Sequence, residues 1–222
     1  MKYAVKTLLL LVSCISFITS TLAQESSDPK AKKILDELSG KTKGYATITA
    51  SFNSTLENKQ ANMKVDQEGV IKLKGTKFNL VLDDYIILSD GESTWTVVES
   101  DNEVYIDDLS ALTGGDINPS EIFTLWEKGF KYNYKGEETV NGKACHHINL
   151  YPKNPSEKNY HTIKLYVDKA AMEISKVVVM GKGGDIYTYQ IKSFKPNEGL
   201  SDALFVFDKK KYPGISVVDN RF

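Results

Sequence analysis

The stretch YATITASFNSTL, Tyr45 to Leu56, constrains the fold more than any other because it alternates along its whole length. Ala46, Ile48, Ala50, Phe52 and Leu56 fall on one side of an extended backbone and Thr47, Thr49, Ser51, Asn53 and Thr55 on the other, since successive strand side chains point to opposite faces. This predicts a half-buried strand about twice the usual length. Such a strand needs partners of similar length and a cover for its apolar side, either a packed core or an apolar ligand.

The partners follow in order. Met63, Val65, Ile71 and Leu73 oppose Lys64, Asp66, Glu68, Lys72 and Lys74, which predicts a second long amphipathic strand. Gly75-Thr76 turns into Phe78 to Leu82, and Ser89-Asp90-Gly91 turns into Thr94 to Glu99. Asn141-Gly142 is a two-residue hairpin signal before Ala144 to Tyr151, and Lys182-Gly183-Gly184 joins Met172 to Met180 with Ile186 to Phe194. The count is about eleven strands running almost wholly as a meander. Asp28-Pro29 opens an amphipathic helix carrying Ala31, Ile34, Leu35 and Leu38, which Gly40 is expected to close. A second helix is expected from Asn118 to Lys128, with Ile122, Phe123, Leu125 and Trp126 on it. A helical turn near Leu200 to Leu204 precedes a last strand, Phe205-Val206-Phe207.

So many successive antiparallel strands must curl. About eight are filled by their own side chains, whereas more leave a hollow. The expected architecture is therefore mainly β, an incomplete, half-open antiparallel β-barrel of about eleven strands with a lid of short α-helices.

Residues 1–23 read as a secretory signal: Lys2 and Lys6 are basic, Leu8 to Ile18 is an apolar run too short to span a membrane comfortably, and Thr21-Leu22-Ala23 offers small residues for cleavage. Leu11-Val12-Ser13-Cys14 also looks like a lipoprotein cleavage box. It ranks second, because Ile15 to Ile18 continue the apolar run where a lipidated chain is normally polar. Residues 24–222 then form one domain. The chain has 28 Lys and Arg, two of them in the leader, against 29 Asp and Glu. A mildly acidic balance with no basic cluster argues against a nucleic-acid partner. Cys145 is left as the single cysteine, so an intrachain disulfide is excluded and the core must hold the domain together.

Catalytic patterns are scarce. His146 and His147 point to opposite faces of a strand, and no further ligand stands at metal spacing beside them. Cys145 and His147 share a face, but about 6.6 Å along the strand separates them and no orienting group is evident. No nucleophile elbow, phosphate loop or dinucleotide fingerprint occurs. The expectation is a protein that is not an enzyme and carries neither metal nor cofactor. Aromatic residues gather around the middle of the chain, from Phe78 and Trp95 to Phe123, Trp126, Phe130, Tyr132 and Tyr134, suited to a core or to an apolar slot.

Ala50-Ser51-Phe52, Gly69 with Ile71, Leu73 and Lys74, Ser89-Asp90-Gly91 with Trp95, Phe205-Val206-Phe207, Gly214-Ile215-Ser216-Val217 and Asp219-Asn220-Arg221 occur in an order that resembles the LolA family of periplasmic lipoprotein carriers. Ile122-Phe123 leading to Gly129-Phe130-Lys131-Tyr132, and Tyr212-Pro213-Gly214, look like the Bacteroidetes-type branch. The resemblance implies a half-barrel whose hollow takes the acyl chains of lipoproteins released by an inner-membrane transporter and delivers them to the outer membrane. The implied partners are acylated lipoproteins, that transporter and an outer-membrane acceptor, and the protein would be a soluble periplasmic monomer. The alternative of another class is a lipid-anchored outer-membrane receptor or envelope-stress sensor with the same fold. One departure stands out: the family's latch arginine, just after the second strand, is matched here by Gly75, and Arg221 is the sole arginine.

On this reading Ile48, Phe52, Met63, Val65, Ile71, Leu73, Phe78, Leu80 and Trp95 are expected to form the cavity wall, and Leu35, Leu38, Ile122 and Trp126 the lid. The intact mass of the exported protein tests the leader assignment. A mature chain beginning near Gln24 is expected, whereas an acylated Cys14 terminus makes the protein lipid-anchored.

Overall fold

A computed structural model describes residues 27–83, 85–113 and 118–221, so the leader and the Cys14 box lie outside the described residues. The helix α1 runs Pro29–Lys43. Its cap is Asp28, whose Oδ1 accepts from the amides of Lys30 at 2.7 Å and Ala31 at 3.2 Å. It continues past Gly40 and ends at Gly44, because the helical geometry tolerates one interior glycine when the flanking face is anchored.

Among the described residues twelve strands follow: β1 (Ile48–Asn58), β2 (Met63–Lys74), β3 (Lys77–Leu82), β4 (Ile86–Ser89), β5 (Ser93–Val98), β6 (Glu103–Asp108), β7 (Phe130–Val140), β8 (Lys143–Pro152), β9 (Tyr160–Asp168), β10 (Glu173–Gly181), β11 (Asp185–Pro196) and β12 (Ser216–Asp219). They form one sheet in the order β12-β6-β5-β4-β3-β2-β1-β11-β10-β9-β8-β7. Its two edges, β12 and β7, do not pair with each other, so the sheet is open, as the half-barrel expectation required. The expected simple meander needs correction. There are two meanders, β1 to β6 and β7 to β11, joined where β1 pairs with β11 from Ile48↔Pro196 to Asn58↔Asp185. Long-range pairing of this kind leaves no local sequence mark. Bulges after Ser51 in the β1/β11 pair, after Tyr134 in β7/β8 and at two points in β9/β10 help bend the sheet.

Two further expectations are corrected. Asn118 to Lys128 is not one α-helix but two 3-10 turns, Pro119–Glu121 and Leu125–Glu127, separated at Thr124 (φ −141°, ψ 5°). Asn118 still caps, accepting from the Ser120 amide at 3.0 Å. The segment is too short, and too rich in β-branched and aromatic residues, to propagate a helix by itself. Phe205-Val206-Phe207 is not a strand either. Phe205 ends the 3-10 turn Asp202–Phe205, and the last strand is β12, which runs parallel to β6. The segment is held by side-chain donors instead of a ladder: Asn79 Nδ2 donates to the Leu204 carbonyl at 2.6 Å and Lys74 Nζ to that of Leu200 at 3.2 Å.

The sheet register sorts the side chains onto two faces. The concave face carries Ala50, Phe52, Ile71, Leu73, Phe78 and Leu80, and its β8 to β10 half carries Ile148, Leu150, Ile163, Leu165 and Val177. Helix α1 closes over that second half. Ala31, Ile34, Leu35 and Leu38 are buried in one cluster with those residues. The C-terminal segment covers the other, convex face at β3 to β6, where Phe205 is fully buried and Ile215 packs with Val97 and Val104.

Helix α1 is tied at both ends. At its start the Asp28 amide donates to the Tyr132 carbonyl at 3.0 Å, and Asp28 Oδ2 accepts from the Tyr134 amide at 3.3 Å, so one residue caps the helix and pairs the β7 edge. Near its end Lys41 Nζ donates to Glu173 at 3.0 Å and also to the Ala171 carbonyl. The Ala31, Lys30 and Tyr134 amides hold the Asp28 carboxyl below its usual pKa. A depressed carboxylate stabilises the fold above its unfolded pKa of about 3.9, and that contribution is lost as pH falls through the folded value. Asp28→Ala is therefore expected to lower the unfolding midpoint by about 2 to 6 °C at pH 7, with a smaller difference at pH 3, and to speed hydrogen exchange of the Tyr134 amide. Unchanged melting at pH 7 would remove Asp28 from this role.

Candidate functional site

Strand β6 lies next to the edge strand β12 and β7 forms the opposite edge, so the chain between them must pass from one side of the sheet to the other. The described parts of that connection are a 3-10 turn, Leu109–Thr113, and residues 118–129, which carry Pro119, Ile122 and Phe123 over β1 to β3, and Leu125 and Trp126 onto α1. Between this cover and the sheet lies a cavity of about 320 Å³. Its floor is Phe52, Leu56, Val65, Ile71, Leu80 and Leu82, its far wall Ile174, Val177 and Ile191, and its roof Pro119, Ile122 and Phe123. Ser54, Thr55, Gln67, Tyr85, Tyr187 and Tyr189 are its polar or amphipathic members. The cavity is overwhelmingly apolar and part open, the form of a small-molecule or lipid site. A larger recess of about 690 Å³ adjoins it, sharing Tyr187 and Tyr189, and is more polar, lined by Lys158, Asn159, Lys182 and Asp185 together with Tyr160 and Val179.

The expected wall residues divide. Phe52, Val65, Ile71 and Leu80 line the cavity. Ile48, Leu73 and Phe78 lie on the same face one or two rungs deeper, within the closed core. Met63 is on that face at the outer tip of β2, 38% exposed and beyond the cavity. Trp95 is misplaced by the sequence reading. It pairs with Leu88 and Ile106, on the face opposite Ile71 and Leu80, and packs beside Val97, Val104 and the C-terminal segment. Alternation along a short strand does not say which of its faces is concave.

The expected lid divides as well. Ile122 roofs the cavity, while Leu35, Leu38 and Trp126 are 2 to 3% exposed core residues. Trp126 has a second part: its Nε1 donates to Ser39 Oγ at 2.8 Å and to the Leu35 carbonyl at 3.2 Å, and Lys43 pairs with Glu127 at 2.8 Å. The roof segment is thus fastened to α1 from within. Gly75, at the expected latch position, is a turn residue with φ +61°, and Arg221 instead pairs with Asp219 at 2.7 Å and donates to Ser93 Oγ at 3.0 Å. The sequence reading missed Leu56 and the whole β10/β11 side of the cavity. Leu56 was signalled by its own alternation; Ile174, Val177, Tyr187, Tyr189 and Ile191 were not, because only the β1/β11 pairing brings them there.

The other ionisable candidates lie apart from the cavity. Cys145 is fully buried beside Val140 and Tyr166. His147 Nδ1 and Nε2 are bonded to Glu138 at 2.6 Å and Asn149 at 2.9 Å, on the convex face. His146 meets the Tyr134 hydroxyl at 3.3 Å on the concave side, and burial pushes its pKa down. Among the described residues no group of three or more His, Cys, Asp or Glu stands ready to hold a metal ion, and no helix is long and apolar enough to cross a membrane.

A sequence profile of the family described as outer membrane lipoprotein carrier protein LolA matches residues 43–208. An uncharacterized protein of Methanocaldococcus jannaschii is 26% identical over 93% of this chain, and the chain spans 58% of that relative's length. Among solved structures, an uncharacterized conserved protein from Thermus thermophilus superposes with a TM-score of 0.57 at 11% identity, covering 86% of this chain and 99% of that one. A DUF1329 family protein from Desulfovibrio piger gives 0.50 at 13% identity, covering 84% and 99%. At these identities the two structures speak for the fold alone.

Beneath the cavity floor, under the Phe52 and Leu82 side chains, lies Gly69. A Cβ there would lie 2.4 Å from Phe52 Cζ and 2.9 Å from Leu82 Cδ2, so the Phe52 ring rests directly on the glycine, edge-on to Tyr189 at 5.9 Å. Gly69→Ala is expected to push this ring into the cavity, costing about 1 to 3 kcal/mol of stability and weakening uptake of an apolar fluorescent probe. Wild-type stability and wild-type uptake together would show that the ring has somewhere else to go.

Proposed function

The chain belongs to the outer membrane lipoprotein carrier protein LolA family, and from that premise we propose that it binds the acyl chains of lipoproteins in the concave cavity and carries them from the inner to the outer membrane. The observation that carries the reading is the apolar cavity between the sheet and the 118–129 segment, on a face where α1 fills only the other half. The cargo would be handed over by an inner-membrane transporter and passed to an outer-membrane acceptor, with the protein acting in the periplasm as a monomer and without catalysis.

The energetics set the task. Each buried methylene is worth about 0.8 kcal/mol, so a chain of about fifteen contributes about 12 kcal/mol and does not cross water unaided. A carrier must match much of that and still release. The cavity volume lies at the low end of the roughly 300–1,000 Å³ range of ligand sites. Cargo with several chains then requires the roof to move. The roof is suited to it: two isolated 3-10 turns with few backbone bonds of their own, hung from α1 by Trp126 and Glu127. The fixed point is the helix and the moving part is the turn bearing Ile122 and Phe123.

Ile122→Asp and Leu80→Asp place a charge on the roof and floor at partly buried positions. Each is expected to lower affinity for an acylated peptide at least tenfold while leaving circular dichroism unchanged. Native mass spectrometry of protein isolated from cells should show acylated cargo on the wild type and less on both variants. Equal loading of all three overturns the cavity assignment.

A further inference from the structure

The cavity is closed at one end and open at the other. Where β1 begins, Ile48, Leu73 and Phe78 continue its floor into buried core. Where β1 ends, the lining residues Val65 and Tyr187 are 43% and 37% exposed, and Met63 beyond them is 38% exposed. These are three of the six large hydrophobic side chains exposed among the described residues. Register brings them together: Val65 and Tyr187 flank Leu56 on one rung, and Met63 pairs with Asn58 on the next. An exposed apolar rim continuous with an apolar cavity marks an interaction site.

Three loops meet around this rim: residues 59–62 between β1 and β2, 182–184 between β10 and β11, and 153–159 between β8 and β9. Asn58 Nδ2 donates to Asp185 Oδ1 at 2.7 Å and the Lys182 amide to the Asn159 carbonyl at 2.8 Å, so the loops are held side by side. Their lysines are unevenly matched. Lys59 lies 4.0 Å from Glu57 and the neighbouring Lys64 3.0 Å from Asp66. Lys153, Lys158 and Lys182 have no acidic partner among the described residues, and the Lys182 ammonium reaches only the Pro155 carbonyl. The remaining acids there, Glu157 and Asp185, are engaged by Asn154 and Asn58. The mouth therefore sets an apolar rim beside three unneutralised ammonium groups, in a chain whose net charge is −1.

The headgroup boundary of an anionic bilayer satisfies both features, because apolar side chains enter the acyl edge, tyrosine rings settle at the interface and lysines meet phosphates. Resting on the lipid-binding reading above, we propose that this end of the protein docks on an anionic membrane surface, with Met63, Val65 and the Tyr187 ring in the interface and Lys153, Lys158 and Lys182 against lipid phosphates. Docked in this way, the cavity mouth faces the bilayer. An acyl chain then passes between membrane and cavity over Met63, Val65 and Leu56 without crossing open water. So small an apolar rim with three lysines makes the docking peripheral and reversible.

The test is flotation of the mature protein with vesicles of phosphatidylcholine alone and of phosphatidylcholine mixed with phosphatidylglycerol. Wild type is expected to partition at least about tenfold more strongly onto the anionic vesicles and to lose most of that preference in high salt, which screens the lysines. The Lys153→Glu, Lys158→Glu double variant should lose the preference, and Met63→Asp should weaken binding to anionic vesicles about tenfold. Met63 lies beyond the cavity and neither lysine lines it, so uptake of an apolar fluorescent dye and the melting temperature should stay at wild-type values in both variants. Wild type that takes up dye but floats with neither vesicle, or equally with both, overturns the docking and leaves the lipid-binding reading standing. Binding undiminished in both variants does the same. Self-association that Met63→Asp abolishes, without flotation, gives the rim to a second copy of the chain and also overturns the docking. Neither dye uptake nor flotation by wild type overturns both readings. If the double variant has lost its fold, Met63→Asp and the salt dependence decide.

Discussion

The pairing of β1 with β11 is the constraint on which the rest of the structure depends. It joins residues about 140 positions apart along eleven-residue and twelve-residue strands, and it fuses two meanders into one open sheet. Once that ladder forms, the end of β6 lies one strand from one edge and the start of β7 at the other, and residues 118–129 of the connection run across the concave face. The roof of the cavity is therefore a topological consequence of the central pairing. Its length and its two 3-10 turns follow from having to cross, not from any propensity to form a helix.

The same pairing creates two concave halves that meet different fates. The β7 to β10 half receives α1, whose apolar stripe of Ala31, Ile34, Leu35 and Leu38 packs into one cluster with it, leaving Ile174 and Val177 of β10 at the border of the cavity. The β1 to β3 half receives Pro119, Ile122 and Phe123, too little to fill a curved sheet, and the shortfall is the cavity. Trp126 links the halves. Its ring is core for α1 and its indole nitrogen holds the roof segment to the helix, so rigidity and mobility are neighbours in sequence. On the convex face the C-terminal segment takes the place of a second layer at β3 to β6, which is why Trp95, Val97 and Val104 are shielded although they face away from α1.

This layout also separates the ionisable groups from the apolar work. His147 and Cys145 sit on the convex side of β8, engaged with Glu138 and with the Lys143 carbonyl. Asp168 shows how the fold holds a buried charge there. Burial pushes its pKa up, but the amides of Ala171 and Ala170 and the ammonium of Lys143 outweigh that and hold the carboxyl low. The cavity lining, by contrast, holds no charged side chain among the described residues; its polar members are Ser54, Thr55, Gln67, Tyr85, Tyr187 and Tyr189.

The sequence by itself determined what local physics decides. The period-two alternation of Tyr45 to Leu56 and of Met63 to Lys74 placed two long strands. Asn141-Gly142, both now with positive φ (50° and 77°), placed a hairpin, and Asp28-Pro29 placed the helix start. The count of strands was enough to require an open, curved sheet. Only the tertiary structure decided which face of each strand is concave, because alternation is symmetric between faces; Trp95 went to the outer side and Leu80 to the inner by pairing register alone. It also decided that Leu35, Leu38 and Trp126 are core and Ile122 is roof, and that β10 and β11 supply the far wall, since side chains over a hundred residues apart meet only through a ladder that no short stretch of the chain encodes.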